Sequence, residues 1–383
     1  MAQKMTHRER VLAAINHRQP DKVPIDLGGT VDSSIVVDGY MRLAKHFGVS
    51  PKIEITNRMM QTVNVEEPIL RALDVDTRGI FSGSPDKSVA QEISPNEYKD
   101  AWGCVRIKPA GSHYFDQVKF PLAGEISISD ILKYPWPNPD DPGWTRHLRP
   151  RLKWIRENTD CAVVLATPSA FVHTSQYIRG FQDWYTDFIW NPKLLEALFD
   201  ATMAVTMRIC WNILKEIGQE VDIILTADDL GAQGGLQISR EHYKKYVHPR
   251  LAKYLRQIHD LSPAKVLFHS CGSLAIIIED LVEAGVDILN PIQVAAAGMD
   301  PAELKRRCGN RLAFWGAVDS QRVMPFGSVA DVKKEVELRM EQLGKNGGYV
   351  LGCVHNIQPD VPVENILAMY HHAREYVPSY NRS

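Results

Sequence analysis

Six short apolar stretches in the C-terminal two thirds of the chain are each followed by a run with helical spacing, and this repeat limits the possible folds more than any other feature. The apolar stretches are Ala162–Ala166, Asp222–Thr226, Val266–His269, Asp287–Leu289, Leu312–Trp315 and Tyr349–Leu351. The helical runs are Ile178–Ile217, Glu241–Leu261, Leu274–Ala284, Pro301–Arg307, Val329–Leu343 and Val363–Tyr376. Nearly continuous apolar strands are buried on both faces, which suits a parallel sheet clothed by helices. Two earlier stretches, Val23–Leu27 and Val75–Phe81, raise the number to eight. Eight such units close as a (β/α)8 TIM barrel. A doubly wound open sheet is the competing α/β arrangement, but no Gly-rich phosphate fingerprint follows any strand. The expected architecture is a single barrel domain over residues 1–383. It carries one excursion, residues 85–124, where Trp102–Ile107 and Tyr114–Phe120 flank a Pro109–Ser112 turn and predict an inserted β-hairpin.

In such a barrel the chemistry sits at the carboxyl ends of the strands. Those ends read Gly28-Gly29, Ser82, Thr167, Asp228-Asp229, His269 and Cys271, Asn290 and Gln293, Asp319, and Cys353, His355 and Asn356. In an extended segment His269 and Cys271 share a face, and an imidazole beside a thiol is half of a zinc site. Cys353, at the end of Tyr349–Leu351, is the expected third ligand. Three protein ligands, His269, Cys271 and Cys353, leave one tetrahedral position open, as in catalytic rather than structural zinc sites. That position accepts a thiol, which zinc activates as a nucleophile, or an ether or phenol oxygen, which zinc makes a better leaving group. Asp229, with its neighbour Asp228, is a candidate general acid/base or fourth ligand. His173 is a candidate proton donor to a departing oxygen. His355 and Asn356, just beyond Cys353, are placed to act in catalysis or to orient a ligand. Cys104, Cys161, Cys210 and Cys308 read as core residues.

Composition excludes several classes of function. A net charge of -2 spread over 383 residues, with dispersed basic side chains, argues against nucleic acid or an anionic membrane surface as partner. No apolar run is long enough for a bilayer. The polar start Met1–Arg10 leads straight into an amphipathic pattern, so no signal peptide is expected. Six scattered cysteines do not form a disulfide framework and point to a reduced, cytoplasmic setting.

Several motifs together resemble the uroporphyrinogen decarboxylase superfamily. They are His269-Ser270-Cys271 with Cys353, the run Ala227–Gln233, Ile238–Glu241 leading to Pro249, the opening Arg8-Glu9-Arg10 through Asp21–Asp26, Asp100–Gly103, and Val361–Asn365. The His-x-Cys…Cys set is similar to the corrinoid-linked methyltransferase branch. The resemblance implies a (β/α)8 barrel, zinc on His269, Cys271 and Cys353, and a corrinoid (cobalamin) carried by a partner protein that docks over the barrel mouth. No Asp-x-His-x-x-Gly motif stands in this chain, so the corrinoid would arrive on that partner. Gln233 and Asn356 become candidate contacts to substrate or corrinoid. The small-molecule partner is then a methyl donor or acceptor: preferably a methoxylated aromatic undergoing O-demethylation, alternatively a thiol such as coenzyme M. The true decarboxylase uses no metal and grips its polyacid with an arginine-rich loop after the first strand. Here that loop, Gly28–Ser34, holds no arginine, which removes the bidentate clamps a polyacid needs. A metal-free decarboxylase and a non-catalytic barrel that only docks a corrinoid protein are the remaining alternatives. The expected assembly is a monomer or a homodimer.

Overall fold

The computed structural model describes residues 4–381. Seven parallel strands follow one another around a curved sheet in chain order: Thr77–Phe81, Ala162–Ala166, Ile223–Ala227, Lys265–His269, Ile288–Asn290, Ala313–Val318 and Tyr349–Cys353. The gap between the last and the first is filled by the segment around Ile25, which bridges in parallel to Leu351. On one side Asp26 N donates to Leu351 O (2.8 Å) and Leu351 N to Pro24 O (2.9 Å); on the other Asp76 N donates to Ile25 O (3.1 Å). The stretch Val23–Leu27, predicted as a full strand, is thus the eighth stave, pinned at one bridge. Pro24 lacks an amide hydrogen and Gly28 turns with φ 71°, so little ladder can form on either side of Ile25.

Alternation along the strands divides the core. Ala162, Val164, Ala166, Ile223, Leu225, Leu267, Ile288, Ala313, Trp315 and Val350 form a small inner cluster. Their neighbours in sequence, among them Val163, Ile224, Phe268, Phe314, Leu351 and Cys353, pack outward in the larger cluster shared with the helices. The first helix, His7–Ile15, starts at a Thr6/Glu9 capping box and sends Val11 and Ile15 into the inner cluster. It closes the amino-terminal end of the barrel. There Arg10, buried to 5% side-chain exposure, binds Asp21 (2.8 Å) and Asp76 (2.7 Å). Asp76 in turn takes Ile25 N (2.7 Å) and the Arg374 guanidinium.

The long helical region after the second strand is broken into Val172–Arg179, Phe181–Trp190 and Pro192–Ile217. Gly180, at φ 85°, makes the first break and the Asn191-Pro192 step the second. The excursion is larger than the predicted hairpin. It is a four-stranded antiparallel sheet, Gln91–Ser94, Glu97–Lys99, Val105–Ile107 and Asp116–Lys119. Its first strand is exposed throughout, so it carries no apolar alternation by which a sequence pattern could reveal it. The sheet leans on the carboxyl end of the barrel: Cys104 Sγ donates to Tyr177 O (3.3 Å) and Leu122 N to Ile178 O (2.9 Å). Among the described residues no helix is long and apolar enough to cross a membrane.

Candidate functional site

His269 ends the strand Lys265–His269 on the same inward face as Leu267, and Cys271 follows on that face. Gly272, at φ 87°, then turns the chain hard against Gly231 and Ala232; a Cβ there would lie 2.4 Å from the Gly231 carbonyl carbon. This close approach holds the His-Ser-Cys segment against the loop that carries Asp229. Cys271 Sγ lies 3.5 Å from His269 Nε2. The third member of the group is His355: one donor atom from each of His269, Cys271 and His355 falls within 4.8 Å of the other two.

Cys353 is not the third member. It shares the outward face of its strand with Tyr349 and Leu351, its Sγ rests 3.7 Å from Met369 Sδ in the helix Val363–Glu375, and burial pushes its thiol up to about 12. The reason is strand alternation. Leu351 faces the helices, so Cys353 does too, and only after the strand ends does the chain bring a ligand-capable side chain, His355, over the barrel axis. Among the described residues the side chains brought together are those of His269, Cys271 and His355, and Cys353 stands apart from them in the helix layer.

The ionisable groups of the cluster shift one another. Burial raises the Cys271 thiol, but the His269 and His355 imidazoles beside it more than reverse this, and its net shift is downward. Burial likewise opposes charge on His269, yet Asp32, Cys271 and Asp229 raise it well above the ordinary range. His355 is shifted up by Cys271 and Asp32 against its own desolvation. Asp32 sits 3.5 Å from His269 Nδ1 and 3.8 Å from His355 Nε2. Asn290 Oδ1 lies 2.6 Å from His269 Nδ1; as an acceptor there it leaves Nε2 free toward Cys271. Asp229 accepts Cys271 N (2.8 Å) and lies 3.9 Å from His269 Nε2.

The remaining predicted residues take differing places. His173 is half-buried, packs against Tyr177 (ring centroids 4.4 Å apart, planes tilted by 33°) and feels the charges of Asp229 and His269. Burial lowers its affinity for a proton. Asp228 serves as a cap for a helix outside its own segment. Its carboxylate accepts the backbone N–H groups of Phe171 (3.0 Å), Val172 (3.1 Å) and His173 (2.8 Å), opening the helix Val172–Arg179. Replacing Asp228 by Ala is expected to cost about 1–3 kcal/mol in chemical denaturation, because three buried donors lose their acceptor. Asn356, fully buried, is best satisfied with its amide nitrogen donating to Val31 O (2.7 Å) and Asp32 O (3.1 Å); it ties the Asp32 loop to the site. Exposed Gln233 bridges loops, donating to Ala295 O and accepting from Gln293 Nε2 (2.9 Å).

Sequence reasoning missed two residues here. Asp32 stood in a loop notable for its lack of arginine, with nothing to mark the carboxylate. Tyr114 comes from the inserted sheet; its hydroxyl meets Gln358 and lies within electrostatic reach of Asp32 and Cys271. A local signal did exist for His355, since outward Leu351 excludes Cys353 from the inner face.

Polar groups at the opposite end of the barrel are already committed. A cavity of about 660 Å³ there is lined by Arg8, Arg156 and Asp222, but Asp222 is held by both arginines (2.8 and 3.1 Å) and by Val163 N (2.8 Å). A second group, His7, Asp160 and Cys161, has both imidazole nitrogens occupied by Asp74 and Asp160. These contacts serve closure of the barrel.

Residues 125–376 match the family model described as Uroporphyrinogen decarboxylase (URO-D). Similar curated proteins include the uroporphyrinogen decarboxylase of Methylococcus capsulatus, 26% identical over 50% of this chain and 50% of that enzyme. Another is the uroporphyrinogen decarboxylase of Crocosphaera subtropica, 24% identical over 77% of this chain and 83% of that enzyme. The chain thus matches half the length of the first and most of the second. Among solved structures, a methyltransferase from Methanosarcina mazei superposes over 97% of this chain and 99% of its own with a TM-score of 0.66 and 18% identity, a likeness of fold.

Proposed function

The chain belongs to the uroporphyrinogen decarboxylase family, and from that premise we propose that it is a zinc-dependent methyltransferase. In this reading it moves a methyl group from a methoxylated small molecule to the cobalt of a corrinoid carried by a partner protein. The observation that carries the reading is the convergence of His269, Cys271 and His355 at the carboxyl end of the barrel. A thiolate and two imidazoles are a donor set that suits zinc, and three ligands leave a position for substrate. The methyltransferase from Methanosarcina mazei, which shares the fold, adds support. So does the absence of arginine from Gly28–Ser34, which counts against a polyacid substrate.

His269, Cys271 and His355 would hold the metal, and when bound it would supply Lewis acidity to an ether oxygen. With one thiolate rather than two, the site is one unit more positive than the expected set. That favours withdrawing electrons from an oxygen over activating a thiol, and so favours demethylation over methylation of coenzyme M. The chain's own residues do the rest. Asn290 fixes the His269 tautomer, Asp32 steadies both imidazoles, and Asp229 anchors Cys271 through its amide. His173, beside Asp229, is placed to give a proton to the departing oxygen.

The test combines the zinc-loaded protein, a corrinoid reduced to cobalt(I), and a panel of methoxylated aromatics, followed by the cobalt absorption spectrum. The expected result is conversion to methylcobalt with at least one member and recovery of the matching phenol. Methylation of coenzyme M by methylcobalamin, without demethylation of any ether, would establish the thiol alternative instead. Release of carbon dioxide from uroporphyrinogen by metal-free protein would overturn the proposal.

A further inference from the structure

Besides the groups already committed at the amino-terminal end of the barrel, one pair of basic side chains there meets no acid. Lys305 stands in the last turn of the helix Pro301–Cys308, and His17 follows the helix His7–Ile15. Lys305 is half-buried and its Nζ donates to the Gly347 carbonyl (2.6 Å). No carboxylate pairs with it among the described residues, whereas Lys153, Lys244 and Lys265 each hold one. The Nδ1 of His17 is buried with no hydrogen-bond partner among the described residues. A ring nitrogen so placed has given up its water and gained nothing in exchange.

The backbone sets these two nitrogens side by side. Gly347 and Gly348, both at φ 74°, lead into the strand Tyr349–Cys353, and Gly348 N donates to Ala14 O (2.7 Å), which draws the first helix against the turn. A Cβ on Gly348 would lie 3.0 Å from Lys305 Nζ and 3.1 Å from His17 Nδ1; the absent side chain leaves room for both. Burial and the Lys305 charge lower the affinity of His17 for a proton, against the Gly309 carbonyl; Lys265 and Asp287 act more weakly and with opposite signs. Burial also pushes the Lys305 ammonium down to about 8, opposed by the Cys308 thiol. Near neutral pH the pair thus combines an amine able to attack with an imidazole able to take the proton it sheds. Arg306 and Arg307 share the same basic turn and favour an electrophile that carries negative charge.

We propose that Lys305 is a site of acylation by small acyl phosphates, with His17 as the proton acceptor. The Lys305 amine attacks the acyl carbonyl, a C–N bond forms, and the C–O bond to phosphate breaks with its electron pair leaving on inorganic phosphate. The surplus proton on Nζ passes to His17 Nδ1 and from there to water. The product suits the site better than the ammonium does. Its amide N–H still donates to Gly347 O, its carbonyl can accept from His17 Nδ1, and the half-buried charge without an acid is gone. The pair lies at the opposite end of the barrel from His269, Cys271 and His355, so the inference is independent of the methyltransferase reading.

The test incubates the full chain with acetyl phosphate and follows each acetylated lysine in time by peptide mass spectrometry. Near neutral pH Lys305 is expected to react on the order of 10-fold faster than Lys153, Lys244 and Lys265, because its larger share of free amine outweighs its lower basicity. Its rate is expected to rise with pH through a midpoint near 8. His17→Asn tolerates the left-handed backbone that His17 adopts (φ 53°). It is expected to slow Lys305 on the order of 10-fold and to leave the other three lysines unchanged. Acetylation of Lys305 no faster than that of the three overturns the proposal. So does a midpoint at the ordinary lysine value, or a rate in His17→Asn equal to that of the wild type. If His17→Asn does not fold, the wild-type ranking and the pH midpoint decide.

Discussion

Replacing His355 by Ala is expected to lower zinc affinity by on the order of 100-fold or more, whereas Cys353→Ala leaves zinc stoichiometry unchanged. The contrast follows from where the two side chains point. His355 offers a nitrogen within 4.8 Å of the His269 and Cys271 donors, and Cys353 is directed at Met369 in the helix layer. Cys271→Ser should behave like His355→Ala, because the thiolate supplies the one formal negative charge of the set. Metal analysis after dialysis against a weak chelator reads all three variants, with circular dichroism to confirm folding. Cys353→Ala removes a small buried side chain and is expected to cost about 1–2 kcal/mol of stability, separable from metal loss. Should Cys353→Ala abolish zinc binding while His355→Ala keeps it, the assignment of ligands made from this fold is wrong.

The second large effect concerns the closure of the barrel, far from the chemistry. Asp76→Ala is expected to destabilise the protein by about 3–5 kcal/mol. Asp76 is fully buried and accepts from Arg10, Arg374 and the amide of Ile25. It therefore ties the first helix, the last helix and the single-bridge stave to one carboxylate. Its removal leaves the buried Arg10 with Asp21 as its one carboxylate partner among the described residues and the Ile25 amide without its acceptor, at the point where the ring of strands is thinnest. Arg8→Ala, at the same end of the barrel, is the control. Arg8 is about half exposed, and Asp222 keeps Arg156 and the Val163 amide, so a loss under about 1 kcal/mol is expected. Urea denaturation of the two variants reads the difference; equal losses would mean that Asp76 does not hold the closure.

The barrel was legible because it is written in period. Apolar runs of three to five residues, each followed by a helical stretch, can hardly be buried any other way, and strand positions from Thr77 to Cys353 agree with that reading to within a few residues. The capping box of the first helix is local in the same way: Thr6 and Glu9 interact across three residues and need nothing from the rest of the chain. His269 and Cys271 were found because two positions on one extended segment have a fixed relation. The third member of the cluster was decided by tertiary structure. It depends on where the last strand stops and how the chain turns inward, and a shift from residue 353 to 355 exchanges a thiolate for an imidazole and one unit of charge. Asp32 and Tyr114 lay further from reach. They come from a loop and from an inserted sheet whose first strand bears no apolar pattern, and nothing local records that such segments lean over the mouth of the barrel. Short-range periodicity is a property of the chain itself, whereas convergence at a site is a property of how its segments pack, and only the folded molecule brings those distant side chains within a few ångströms of one another.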